Sequence, residues 1–169
     1  MSEEKVLEFA GKDKAPAAAE NLNLKARKWQ EHLAASNITC FGAQIIGDEL
    51  HTVLFRTVLE VNGQELPIVI ITDDTAFIAI KVLVTSGVVN DGNRAAVLTH
   101  VNELNRRYKL FKYLATDKDL ELECCNLSRD EYFDPQAVHL SIDVILEHLR
   151  VEYPDLMKII WGGADGVKQ

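Results

Sequence analysis

The spacing of apolar positions changes period several times along the chain, and each change predicts an element. Leu22, Ala26, Trp29 and Leu33 recur at helical spacing and define a first amphipathic helix. Asn21 or Asn23 can cap its start, and Ser36-Asn37 ends it. From Thr39 to Thr85 the chain is rich in Val, Ile, Phe and Thr and is cut by turn residues. Gly47-Asp48 separates Cys40–Ile46 from Leu50–Val61, and Asn62-Gly63 is a hairpin signal before the next strand. Thr72-Asp73-Asp74-Thr75 separates Leu66–Ile71 from Ala76–Val84. Three tight connections predict a four-stranded antiparallel meander, because they leave no room for a crossover helix.

Helical spacing returns with Val97, Val101, Leu104 and Tyr108, after a loop at Asn90-Asp91-Gly92-Asn93 that ends in a cap. Lys109–Thr116 and Leu120–Asn126 then form a hairpin around Asp117-Lys118-Asp119. Asp134-Pro135 starts a third helix, a cap followed by proline at the first helical position. That helix is expected to run to about Val151 and to break or kink at Pro154, with further helical turns from Asp155 to Trp161 before Gly162-Gly163. The predicted order is α-β-β-β-β-α-β-β-α, an α+β domain with helices on one face of an antiparallel sheet. A single domain is expected over residues 21–163. A flexible arm precedes it over 1–20, with one helical turn around Val6–Phe9, and a frayed end follows over 164–169.

Composition narrows the function classes. The 169 residues carry 18 Lys and Arg against 26 Asp and Glu, for a net charge of −8. Binding to a phosphate backbone is largely electrostatic, so no nucleic-acid partner is expected. The start is acidic where a secretory signal is basic, and the apolar runs Pro67–Ile71 and Ala76–Val84 are too short to span a bilayer. The expectation is a cytoplasmic protein without a membrane partner. Cys40, Cys124 and Cys125 are an odd set with no Cys-x-x-Cys, and they read as small buried hydrophobes.

Candidate chemistry is sparse. The chain has no Gly-x-Ser-x-Gly, no phosphate-loop motif and no His-Glu-x-x-His. His139 and Asp143 stand four apart on the third helix and could pair on its surface. Asp73-Asp74 lacks the alternating ligands of a calcium loop and reads as a turn. Nothing nominates a nucleophile, a base and an orienting group together. No catalytic residue, cofactor or structural metal is therefore expected.

The third helix carries two apolar stripes. Val138, Ile142, Ile145 and Leu149 form one, which faces the sheet; Leu140, Val144 and Val151 form another on the opposite side. The second stripe is covered either by the first helix or the Met157–Trp161 segment, or by a second subunit or a client protein. Leu140, Val144 and Val151 are thus a candidate partner or dimer surface, and a symmetric homodimer is the expected assembly.

Val101-Asn102-Glu103-Leu104-Asn105, followed by Tyr108-Lys109-Leu110-Phe111-Lys112-Tyr113, the acidic turn Asp117-Lys118-Asp119 and Tyr153-Pro154, resembles the YbjN-like family over residues 37–161. Lys118 departs from the second acidic residue or glycine often found at that hairpin tip. The resemblance implies a fold similar to type III secretion chaperones, α+β dimers that bind extended segments of other proteins. It also implies a role labelled as bacterial sensory-transduction regulation, without established chemistry. Asn102 and Asn105 match motif positions, for which local side-chain bonds to the backbone of the following turn are expected, with a ligand-binding role as the alternative. The combined expectation is a non-enzymatic protein-binding module, chaperone-like or regulatory; the alternative is a small-ligand-binding or enzymatic domain with an unrecognised site.

Overall fold

The computed structural model describes residues 22–162. The expected arm, the Asn21 cap, Gly163 and the frayed end lie outside the described residues. The elements follow the predicted order: α1 (Leu24–Ala35), β1 (Gly42–Ile45), β2 (Val53–Val61), β3 (Gln64–Thr72), β4 (Phe77–Thr85), α2 (Arg94–Arg107), β5 (Phe111–Ala115), β6 (Leu120–Leu127) and α3 (Pro135–Gly162), with a 3-10 turn at Asp130–Tyr132. One antiparallel six-stranded sheet has the strand order β1-β2-β3-β4-β6-β5.

The turn chemistry explains the meander. Asn62 and Gly63 both adopt positive φ, 50° and 79°, which matches the right-handed twist of β2 and β3. The strand boundaries before it differ from expectation. Residues 46–52 form a turn rather than strand ends, with Gly47 at φ 78° and His51 at φ 50°, while Asp48 accepts bonds from the Thr52 N–H and hydroxyl.

The three helices cover one sheet face. Phe55, Ile68, Ile70, Ile80, Val82, Leu120 and Leu122 point into a core shared with Trp29 of α1, Leu104 of α2 and Ile145 and Leu149 of α3, all buried. Side-chain bonds fix each helix in place. Asn23 caps α1 by accepting from Ala26 N (2.8 Å), and its amide donates to His51 O (2.9 Å) and Thr72 Oγ1 (3.2 Å). Lys25, fully buried, donates to Thr75 O and lies 3.7 Å from Asp130 Oδ1. Asp134 caps α3 through Gln136 N at 2.9 Å. Asn93 occupies the cap position of α2 without capping it; its amide instead donates to Val88 O (2.8 Å) and to Ile160 O (2.9 Å), one of the orphan carbonyls at the end of α3.

The expected break at Pro154 does not occur: α3 is continuous through it for 28 residues. Proline has no N–H for the carbonyl four residues earlier, that of Arg150. Asn62 Nδ2, in the β2–β3 turn, donates to Arg150 O at 3.0 Å and so replaces the missing bond. Among the described residues no helix is long and apolar enough to cross a membrane.

Candidate functional site

The sheet has a second face, and no described helix lies on it. In-register residues form rows across it. Leu54, Ile71, Ala79 and Cys125 make one row. Arg56, Val69, Lys81, Glu123 and Lys112 make the next. Beyond these lie the pairs Val58–Pro67, Phe77–Leu127 and Leu114–Glu121. The face is thus apolar along the Leu54–Cys125 row, with one charged row in which Lys81 is paired to Glu123, and with Glu121 and the exposed Glu60–Glu65 pair beyond it. Phe77 is 56% exposed and Leu127 74%.

The outer stripe of α3 is also open. Leu140, Val144 and Val151 are 63%, 41% and 70% exposed, so neither α1 nor the Met157–Trp161 segment covers them. The inner stripe, Val138, Ile142, Ile145 and Leu149, is buried as predicted. Ser141 and His148 of α3 are buried too.

Asn105 is half-buried and clasps β5: its Oδ1 accepts from Tyr113 N (2.7 Å) and its Nδ2 donates to Tyr113 O (3.0 Å). The bonds reach the strand rather than the following turn. Because β5 is an edge strand, this occupies backbone groups that would otherwise invite another strand. Asn102 is exposed, and its amide has no bonded partner among the described residues.

A buried polar cluster that sequence patterns do not reveal lies where α2, β5 and α3 meet. Tyr113 Oη and His148 Nε2 are 2.8 Å apart, and Tyr108 Oη donates to Glu152 Oε1 at 3.2 Å. Arg107 also reaches Glu152, at 3.4 Å. Tyr108 and Phe111 pack on the His148 ring, with centroids 4.2 and 4.5 Å away. Burial lowers the His148 pKa to about 4 against the opposing pull of Glu152, and Arg107 lowers it further. Burial likewise raises the Tyr113 pKa, with Glu152 adding to it. The imidazole is therefore neutral at pH 7, and its Nδ1 is buried without a partner. The residues are individually ordinary; only the fold brings positions 107–113 to positions 148–152.

His139 does not pair with Asp143 as the helix spacing suggests. Its Nδ1 faces His32 Nε2 of α1 at 3.0 Å. The cysteines divide: Cys124 is buried, its thiol pKa pushed up to about 11 mainly by burial, whereas Cys40 and Cys125 are exposed, contrary to expectation. Among the described residues no group of three or more His, Cys, Asp and Glu is placed to hold a metal ion. A recess of about 140 Å³ beside Asn126, Tyr132, Phe133 and Val138 is smaller than the roughly 300–1,000 Å³ of ordinary ligand pockets. No family model, curated protein or solved structure matches this chain.

Proposed function

We propose that the protein is a non-enzymatic protein-binding module, chaperone-like or regulatory, that works as a homodimer through its open sheet face. The carrying observation is that β3 and β4 are apolar on both faces. Pro67-Ile68-Val69-Ile70-Ile71 and Phe77-Ile78-Ala79-Ile80 run without polar residues, yet the described helices cover one side alone. Antiparallel strands that face water on one side normally alternate apolar with polar, and continuous runs belong to sheets covered on both sides.

Area favours this face over α3. The six strands hold 44 residues in all, and at about 4.8 Å spacing and about 3.4 Å per residue they give roughly 700 Å². A standard interface takes about 800 Å² per partner. The 28 residues of α3 give a strip about 42 Å long and about 10 Å wide, roughly 400 Å². Charge favours a second copy as the occupant. A two-fold axis between β3 and β4 sets Arg56 of one copy opposite Glu123 of the other, in both directions. The resemblance to the YbjN-like family, with its chaperone-like dimers, supports the same reading.

Light scattering after size exclusion tests it, with an expected mass of twice 18.9 kDa. Ile71→Lys should give a folded monomer, and Val144→Asp should leave the dimer intact. Cys125, at the end of the Leu54–Ile71–Ala79 row of that face, should be alkylated slowly in the wild type and as fast as exposed Cys40 in Ile71→Lys. The opposite pattern would move the interface to Leu140, Val144 and Val151. A wild-type monomer at micromolar concentration, with Cys125 freely alkylated, would overturn the proposal.

A further inference from the structure

Two histidines 107 positions apart in sequence meet where the last turn of α1 crosses the first turns of α3. His32 Nε2 and His139 Nδ1 are 3.0 Å apart, with the rings nearly perpendicular at 81°. Both rings are half-buried, and Trp29 stacks on His32 with centroids 5.4 Å apart. Each helix is held by its own bonds, α1 by Asn23 and Lys25 to His51, Thr72 and Thr75, and α3 by Asn62 and Asn93. The two nitrogens are therefore presented by rigid elements rather than by loops.

In a neutral pair one ring carries its proton on the facing nitrogen and donates it to the other. Moving that proton to the outer nitrogen of the same ring frees both facing lone pairs, with no net loss of a proton. Both rings are only half-buried, which leaves room for the outer nitrogens, His32 Nδ1 and His139 Nε2, to carry those protons. We propose that His32 and His139 form a two-histidine chelate for a divalent transition ion of the copper or nickel class, clamping α1 to α3. The spacing selects the class. Two nitrogens each about 2.1 Å from one ion lie about 3.0 Å apart when they meet it at a right angle, and about 3.4 Å apart at a tetrahedral angle. The observed separation fits cis positions of a square-planar or octahedral ion, the geometry that copper(II) and nickel(II) favour. Water fills the remaining positions. Such a clamp adds to a fold already complete without it, so it differs from a structural metal.

Trp29 supplies the readout. In a Trp161→Phe background of the full chain, Trp29 is the single tryptophan, and titration with nickel chloride or copper chloride should quench its fluorescence saturably at one ion per chain. His32→Gln and His139→Gln should each weaken the apparent Kd at least tenfold, while His51→Gln should leave it unchanged. Unsaturable quenching, or equal Kd values in all three variants, would overturn the proposal. Should the Gln variants misfold, diethyl pyrocarbonate labelling of the wild type with and without nickel decides: protection of both His32 and His139 supports the chelate, and unchanged labelling refutes it.

Discussion

Ala79 and Ile80 are adjacent in β4, and their surroundings have little in common. Ile80 is fully buried beneath the helices; Ala79 sits on the open face between Ile71 and Cys125. The same contrast holds along β3, where Ile70 is covered and Ile71 and Val69 are not. The two faces differ in charge: among the described residues the covered one carries no charged strand residue, whereas the open one mixes its apolar side chains with Arg56, Glu60, Glu65, Lys81, Lys112, Glu121 and Glu123. Specific bonds then seat the helices on the covered side: Asn23, Asn62, Asn93, Asn105 and Lys25 each tie a helix to a strand, a turn or another helix. Among the described residues the open face has no comparable side-chain bonds to a helix, and its apolar rows are left uncovered.

The largest expected effect measures the covered face. Ile80→Ala should cost about 2–5 kcal/mol by urea denaturation, because the cavity opens inside a packed core. Val69→Ala, one register row away on the other face, should cost the isolated monomer less than about 1 kcal/mol. Equal losses would mean that the open face is packed in the monomer too.

Much of this architecture is legible in the sequence. Asn62-Gly63 specifies its turn through backbone conformation alone, and the Val138, Ile142, Ile145, Leu149 stripe identifies the inner side of α3. Local rules fail where a distant residue intervenes. Proline at 154 reads as a break because the donor that rescues Arg150 O comes from Asn62, 88 positions earlier. The His139–Asp143 pairing suggested by helix spacing loses to His32 for the same reason. The polar cluster around His148 leaves no periodic trace, and Cys40 and Cys125 are exposed because their positions, not their type, set burial. The double-sided apolar runs of β3 and β4 are plain in the sequence, and the alternation of Leu120 and Leu122 with Glu121 and Glu123 in β6 marks the side the helices leave open.

Next in size are the bonds that seat helices on the covered face. Asn105→Ala removes both contacts to the Tyr113 backbone and should cost about 1–3 kcal/mol. It should also raise aggregation on storage, since it uncovers the β5 edge.

His148 makes the covered face sensitive to acid. Its pKa falls from the ordinary 6.5 to about 4 on folding. Between those values the unfolded chain binds a proton that the folded chain rejects. Its contribution to stability is therefore fully present above pH 6.5 and is lost as pH falls toward 4. One proton gives a slope of at most about 1.4 kcal/mol per pH unit. Urea midpoints from pH 7 to pH 5 should show that decline in the wild type, and His148→Gln should flatten it. A wild-type slope unchanged by the substitution would place the titration elsewhere.

A smaller effect isolates one bolt. Asn62→Gly preserves the positive φ of the turn and removes only the bond to Arg150 O, for a loss of about 1 kcal/mol. Pro154→Ala gives that carbonyl its helical N–H back. In the Pro154→Ala background Asn62→Gly should therefore cost almost nothing, a coupling that a double-mutant cycle reads directly.

The smallest change in monomer stability is expected at Ile71, and it separates the two faces most sharply. Ile71 lies at the centre of the open face, between Leu54 and Ala79. Truncation to Ala leaves the helix-covered core untouched, so under dilution to monomer the variant and the wild type should unfold within about 1 kcal/mol of each other. At high concentration they should part. Association stabilises only the folded state, so the wild-type Tm should rise with protein concentration by mass action. Removing three carbons from the Ile71 side chain of each copy weakens that association, at about 0.8 kcal/mol per buried carbon, and flattens the rise. Thermal melts over a hundredfold range of concentration make the comparison. A wild-type Tm that ignores concentration, or an Ile71→Ala variant that follows the wild type throughout, would mean that the open face is left to water.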